Sequence, residues 1–158
     1  RPEEDGYNHR FYYTTTSDFE KFSPAKLLYD PGFNCIDATI LKDGNEYLMF
    51  FKNETASPPA KFLVWAKSAN ATGPYNGVSP QISPKGVWAE GPSAIKINGK
   101  FYVYYDMFRE NRFGLIVSGD MKSWSDYTGE LTMPEGAKHG SFIRITRAEL
   151  DNLLASVK

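Results

Sequence analysis

Short runs of aromatic and aliphatic residues alternate with polar turn segments along most of the chain. Aromatic pairs or triplets begin at Phe11, Phe50, Phe101 and Tyr104. Aromatic and β-branched side chains suit the half-buried surface of a pleated sheet. These runs therefore predict β-strands, and their short spacing predicts a sheet-rich fold.

The residues between the runs indicate hairpins and one helix. Asp43-Gly44 and Asn98-Gly99 each separate two apolar runs, which is the strongest short-range signal for a tight antiparallel hairpin. Near the C-terminus, Thr146 followed by Glu149 forms a capping-box pattern, and leucines then recur at helical spacing. We therefore predict an all-β chain with a short C-terminal helix.

The hairpin pattern repeats along the chain. Residues 38–51 match residues 92–105, and residues 16–23 match residues 118–125. The repeating unit is 51 to 54 residues long, which is the size of a four-stranded β-propeller blade.

The repeat predicts four parts within one partial propeller domain spanning residues 1–158: the end of one blade (1–30), two complete blades (31–85 and 86–132), and the start of a last blade with the helix (133–158). Propellers close with roughly four to eight blades. About three blades cannot close a ring, so we expect a longer protein with further N-terminal blades, or self-association with another chain.

Composition excludes several function classes. The chain has 158 residues and a formal net charge of −1, so it has no global attraction for nucleic acid. No apolar run reaches the 18 or more residues of a membrane span. The single cysteine, Cys35, cannot form an intrachain disulfide and has no zinc-type cluster around it.

Two acids mark the starts of neighbouring repeats. Asp37 and Glu90 each open the first predicted strand of a unit, at equivalent positions to within one residue. The first strand of each blade lines the central channel, so we expect the two carboxyl groups to converge there. Converging carboxylates raise each other's pKa, which can keep one protonated as a general acid. The alternative is that both acids bond nearby backbone N–H groups at a strand start.

Three motifs, in order, resemble those of glycoside hydrolase family 43: residues 30–38 with 47–52, Glu90-Gly91-Pro92 with 102–105, and residues 138–141. The family is a five-bladed propeller that hydrolyses arabinose- and xylose-containing polysaccharides with inversion. The resemblance implies that Glu90 is the general acid and that Asp37 raises its pKa and orients it. It further implies that His139 lies in the central channel, where some members hold a water or a calcium ion. No other cofactor is expected.

The resemblance leaves the catalytic base unassigned. The family's base is an aspartate on the first blade, but only 36 residues precede Asp37. Asp5, Asp18 and Asp30 lie among them, and none opens a strand with a matching sequence. Because inversion needs a base roughly 6.5–9.5 Å from the acid, we expect the base to lie outside this chain.

Further residues are candidates for substrate contact. Flat rings suit the C–H faces of sugars, and arginines form forked hydrogen bonds with hydroxyl groups. Core packing is the alternative for the rings, and surface ion pairs with Asp106 or Glu110 are the alternative for the arginines. The candidates are Phe33, Asn34, Phe51, Trp88, Arg109 and Arg112.

Two functional hypotheses follow from the motifs. The first is an inverting glycoside hydrolase that acts on arabinofuranosyl or xylosyl linkages of plant-type polysaccharides, in a secreted or periplasmic location. The second is a non-catalytic carbohydrate-binding or interaction propeller that has lost its base. The ordered motifs favour the hydrolase.

Overall fold

The computed structural model describes residues 6–134 and 136–157, which form nine strands, a short 3-10 turn at Thr128–Glu130 and one α-helix. The strands are β1 (Phe11–Tyr13), β2 (Lys26–Tyr29), β3 (Cys35–Asp43), β4 (Glu46–Asn53), β5 (Phe62–Ser68), β6 (Ala89–Ile97), β7 (Lys100–Met107), β8 (Arg112–Ser118) and β9 (Ser125–Asp126). The all-β prediction is confirmed, as are the strands at the aromatic runs.

The strands form three antiparallel sheets in chain order: β1-β2, β3-β4-β5 and β6-β7-β8-β9. An irregular segment beside β5 extends the second sheet, because Asn76 N–H donates to Lys67 C=O at 2.8 Å. Farther along, Ile82 N–H donates to Leu63 C=O at 2.9 Å. The predicted blade boundaries at residues 30, 85 and 132 stay a prediction.

The hairpins β3-β4 and β6-β7 share one register. Ile36 lies opposite Lys52 in the first hairpin, and Glu90 lies opposite Asp106 in the second, each 54 residues further on. In both hairpins a β-bulge interrupts the ladder directly after this pair. The internal repeat is therefore real at the level of individual hydrogen-bonded pairs.

The inner strands β3 and β6 lie side by side and run in the same direction. Gly91 N–H donates to the Asp37 carboxylate at 3.0 Å, and Lys96 Nζ donates to Asp43 Oδ1 at 2.7 Å. Contacts thus advance along both strands together, as between the innermost strands of successive propeller blades.

The segment 139–145 follows β6 in the same way. Phe142 N–H donates to Ser93 Oγ at 2.9 Å, and Arg144 donates to Lys96 C=O at 3.0 Å. The Phe142 ring also stacks on Tyr104, with 3.7 Å between centroids. This segment occupies the position of a third inner strand.

Two apolar clusters fill the spaces between the layers. Residues 48–52 of β4 are all buried, because β4 is covered on both faces. Its apolar residues 48–51 therefore form a continuous run rather than an alternating one. One cluster joins the β3-β4-β5 sheet to the β6–β9 sheet, and the other joins it to β1-β2. In the first cluster, the Trp124 ring contacts the Phe50 ring edge to face, with 6.3 Å between the ring centroids.

The C-terminal helix α1 (Arg147–Ser156) begins at the predicted capping box. Thr146 Oγ1 accepts from Glu149 N–H at 3.2 Å, and the Glu149 carboxylate accepts from Thr146 N–H at 2.6 Å. The apolar side of the helix is exposed, with Leu153 and Leu154 more than half accessible. Within the described residues, no helix has the length and apolar character needed to cross a membrane.

Candidate active site

Three side chains meet where β3, β6 and the segment 139–145 adjoin. Asp37, Glu90 and His139 each place one nitrogen or oxygen atom within 4.8 Å of the other two. The two acids are half-buried and His139 is exposed, so the group opens to solvent. The structure thus brings together the two acids and the histidine that the sequence singled out.

A β-bulge positions Asp37 beside the next inner strand. Asp37 has a φ of +58° and its register equivalent Gly91 has a φ of +56°, so both bulges use the left-handed region. Non-glycine residues rarely adopt this conformation, although aspartate and asparagine are enriched there. The turned backbone directs the Asp37 carboxylate to the N–H of Gly91, the residue after Glu90.

Both oxygens of Glu90 have cationic or N–H partners. Lys52 Nζ donates to Oε2 at 2.9 Å, and His139 Nε2 lies 3.1 Å from Oε1. Partial burial alone would raise the pKa of Glu90, but the hydrogen bonds and charges of Lys52 and His139 outweigh it and lower that pKa. The net shift of the Glu90 pKa is therefore opposite in direction to the one expected from the paired acids alone.

Lys52 is a site residue that sequence reasoning missed. It is 2% exposed, and its ammonium lies 2.7 Å from Glu54 Oε2 as well as 2.9 Å from Glu90. It also lies 4.5 Å above the Phe108 ring. The available signal was a lysine directly after the apolar run 47–51 of β4, since a buried lysine needs an anionic partner.

Asp106, across the ladder from Glu90, is a second missed acid. It is 1% exposed, and its Oδ2 lies 3.8 Å from His139 Nε2. The His139 ring itself packs on Gly91, where a Cβ added to the glycine would lie 3.1 Å from the ring atoms. The imidazole is thus held between the Gly91 backbone and two carboxylates.

Trp88 and Arg109 form one unit beside Phe108, the ring that lies against the Lys52 ammonium. The Arg109 guanidinium stacks 3.3 Å above the Trp88 ring, and Phe108 contacts that ring edge to face. Trp88 is half-buried. Arg112 instead forms an ion pair with Glu110 at 3.1 Å, which is the alternative weighed for it. The geometry therefore favours Trp88 and Arg109 over Arg112 as sugar contacts.

The predictions for Phe51 and Asn34 need correction. Phe51 is fully buried and packs on Phe33 and Tyr29, so it cannot stack on a sugar. Asn34 Oδ1 accepts from the N–H groups of residues 8 and 9, and Nδ2 donates to Gly6 C=O, each at 2.9 Å. Asn34 therefore anchors the N-terminal segment. Phe33 is half-buried against Phe51.

The described acids upstream of Asp37 form other contacts, away from the Asp37–Glu90–His139 group. Asp18 accepts the N–H groups of Glu20 and Lys21 within its own turn, and Asp30 binds Arg10 at 2.8 Å. Asp5 lies outside the described residues. Asp37 is within 4.8 Å of Glu90, a separation too short for the attacking water that inversion places between acid and base.

A calcium ion fits this donor set poorly. Calcium takes six to eight oxygen ligands, whereas Asp37, Glu90 and His139 offer two carboxylates and an imidazole nitrogen. In addition, His139 Nε2 and Glu90 Oε1 face each other at hydrogen-bond distance, so these two groups bond to each other.

Comparison with known proteins gives one family match and one relative of this chain. Residues 1–151 match the family described as "Probable glycosyl hydrolase domain". An α-L-arabinofuranosidase of Bifidobacterium longum subsp. longum is 31% identical over 101 aligned residues, which cover 54% of this chain and 10% of that protein.

The crystal structure of a thermostable family-43 glycoside hydrolase superimposes with a TM-score of 0.55 at 21% identity. The match covers 85% of this chain and 58% of that one. Because sequence identity is low, this match supports the fold alone: the chain is an open part of a family-43-type β-propeller. It spans about a tenth of the arabinofuranosidase and over half of the solved chain.

Proposed function

The chain belongs to the family described as "Probable glycosyl hydrolase domain", and we propose that it carries the acid half of an inverting glycosidase site. The observation that carries the proposal is the convergence of Asp37, Glu90 and His139 within 4.8 Å at the inner strands. Glycosidic bond cleavage with inversion requires a general acid at an open surface, facing a second carboxylate that acts as the base.

Each acid has a distinct role in the proposed reaction. Glu90 gives its proton to the glycosidic oxygen as the bond to the anomeric carbon breaks. A base outside the described residues takes a proton from water, which attacks the opposite face of the sugar. Asp37 holds Glu90 in place through the Gly91 N–H, and its negative charge opposes ionisation of Glu90.

The pKa of Glu90 is lowered in the site without a bound sugar, where the site is open to solvent. A sugar bound over the carboxyl group removes water, and desolvation is the influence that already raises the Glu90 pKa. Binding would also separate Oε1 from the exposed His139 ring. Both changes favour the protonated form that acid catalysis needs.

We propose an arabinofuranosyl linkage as the substrate, with a xylosyl linkage as the alternative. The support is the name of the 31%-identical relative, an α-L-arabinofuranosidase. The Trp88–Arg109 unit supplies a ring face and forked donors at the edge of the site.

Since plant-type polysaccharides with such linkages lie outside the cytoplasm, we expect a secreted or periplasmic setting. Proton transfer from Glu90 to the glycosidic oxygen and from water to a carboxylate base needs no cofactor, so we expect EDTA to leave turnover unchanged.

The test compares the wild-type protein, together with the blades or partner chain that complete its ring, with its Glu90→Gln variant. The substrates are aryl α-L-arabinofuranoside and aryl β-D-xyloside, each with a good and a poor leaving group. We expect Glu90→Gln to lower turnover of the poor leaving group by about 10²- to 10⁴-fold. A good leaving group needs less protonation, so its loss should be smaller. Equal losses for both leaving groups would contradict an acid role, and NMR of the first-formed anomer tests inversion.

A non-catalytic carbohydrate-binding propeller is the second candidate. It is favoured by one observation: the pKa of Glu90 is lowered by Lys52 and His139, which suits a permanent hydrogen-bond acceptor for sugar hydroxyls. Calorimetry with arabino- and xylo-oligosaccharides distinguishes the two. Binding without turnover, and weakened by Glu90→Gln, would favour the binding module.

A further inference from the structure

The side chain of Lys52 is the most completely buried cation next to the proposed acid. Only 3% of its side chain is accessible, yet it carries a charge whose burial is costly unless partnered. Its partners are Glu90 Oε2 at 2.9 Å, Glu54 Oε2 at 2.7 Å and the face of Phe108 at 4.5 Å. The ammonium is therefore enclosed on three sides.

This enclosure restrains Glu90 at a specific atom. Lys52 holds Oε2 from beneath, while His139 meets Oε1 at the solvent side. A carboxylate bound at both oxygens cannot rotate without breaking one contact. Because the Lys52 side is buried and the His139 side is exposed, the oxygen left for a ligand is Oε1.

The second carboxylate is itself anchored. Lys61 Nζ binds the Glu54 carboxylate and also donates to the Glu54 C=O at 3.1 Å. Lys61 C=O in turn accepts from Ala89 N–H at 3.0 Å, one residue before Glu90. The chain of contacts runs from Glu90 through Lys52, Glu54 and Lys61 back to the strand that carries Glu90, and so forms a closed loop.

We propose that Lys52 is a positioning residue: through its contacts with Glu54 and Glu90, it fixes the Glu90 carboxyl group so that Oε1 faces the glycosidic oxygen. This inference rests on the proposed function, in which Glu90 is the acid. Lys52 does not reach the substrate, and its effect passes through Glu90. A purely structural lysine would instead support folding without affecting the geometry of the reaction.

The kinetic test uses Lys52→Met, which keeps the length of the side chain but removes its charge, Lys52→Arg, which keeps the charge, and Lys67→Met as the matched control. Lys67 pairs with Glu46 at the surface, with both side chains about half exposed. We expect Lys52→Met to lower kcat by about 10²-fold, as for a misplaced catalytic group, with KM within about threefold. Lys52→Arg should recover part of kcat, and Lys67→Met should match wild type.

A crystal structure of Lys52→Met supplies a readout that does not depend on turnover. We expect the Glu90 carboxyl group to leave its position and lose the 3.1 Å contact with His139. If Glu90 stays in place in the variant, or if Lys52→Met retains the wild-type kcat, the positioning role is overturned. If no variant turns over, including wild type, a displaced Glu90 still supports the positioning role, while the proposed function fails.

If Lys52→Met does not fold, Glu54→Gln tests the same inference. This change removes the charge that holds Lys52 from the far side but leaves the Lys52–Glu90 contact available. We expect Glu54→Gln to lower kcat by a smaller factor than Lys52→Met does, with KM unchanged. We also expect Glu90 to shift in the crystal structure of the Glu54→Gln variant. A Glu54→Gln chain with wild-type kcat and an unmoved Glu90 would overturn the proposal.

Discussion

The main-chain N–H of Gly91 donates a 3.0 Å hydrogen bond to Oδ2 of Asp37 across the two neighbouring inner strands. The two residues occupy the same bulge position in successive repeats and share the left-handed backbone conformation. A hydrogen bond thus joins the bulge of β3 to the bulge of β6. Because Gly91 directly follows Glu90, Asp37 acts on the proposed acid through the backbone as well as through its charge.

Asp37→Asn separates these two influences. Asparagine tolerates the positive φ and keeps an oxygen that can accept the Gly91 N–H, but it removes the negative charge. We expect turnover to fall by about 10²-fold with little change in melting temperature. Asp43→Asn, at the other end of β3 in its pair with Lys96, is the control and should keep full turnover. Full activity in Asp37→Asn would show that its charge is not needed.

Gly91→Ala tests the contact between the bulge and His139. A side chain at φ +56° costs about 1–2 kcal/mol, and the added Cβ would lie 3.1 Å from the His139 ring. Gly44→Ala pays a similar backbone cost at φ +58° with no atom nearby. We expect both variants to lose similar stability in urea unfolding, but only Gly91→Ala to shift the His139 ring signals in NMR spectra. Unshifted signals would contradict the packing described.

The fold was predictable because its signals are local and repeated. Aromatic runs marked the strands, and a Thr146–Glu149 pair marked the helix start, which the structure confirms. The repeat also predicted which acids would meet, since equivalent strand starts line the same channel. The one-residue difference between Asp37 and Glu90 was visible in the sequence, but the bulge that turns Asp37 toward the strand carrying Glu90 was not.

The electrostatics of the site could not be predicted from spacing. The sequence predicted a pair of acids that raise each other's pKa, whereas Lys52 and His139 lower the pKa of Glu90. Lys52 lies 38 residues from Glu90, and although a buried lysine needs an anionic partner, the sequence does not indicate that this partner is Glu90. The buried Phe51 shows the same limit, because a ring's exposure depends on which layer covers it.

Gly114→Ala should destabilise the β7-β8 pair. Gly114 lies opposite Tyr105 in the ladder, and a Cβ there would come within 2.2 Å of the buried Tyr105 ring. Overpacking of a filled core costs about 1–3 kcal/mol, and this overlap is with a ring that has no room to move. Urea unfolding should show the loss, while Gly119→Ala, which meets no atom within 4 Å, should stay near wild type.

Alkaline pH should unfold the chain through Tyr105. Burial raises the pKa of its hydroxyl group from 10.0 to about 12. The unfolded chain therefore releases this proton first, so the contribution of Tyr105 to stability is complete below pH 10 and declines as the pH rises toward 12. Two pKa units correspond to about 3 kcal/mol.

Urea unfolding at several pH values between 8 and 12 measures this decline, with Tyr105→Phe and Tyr12→Phe compared to wild type. Tyr105→Phe removes the titrating group, so its stability should fall less steeply above pH 10. Tyr12 is 58% exposed, and its replacement should leave the wild-type slope. Burial also raises the pKa of the Cys35 thiol from 9.0 to about 12, so some decline from pH 9 should remain in both variants. An unchanged slope in Tyr105→Phe would contradict the assignment, because no other change in that variant alters proton binding.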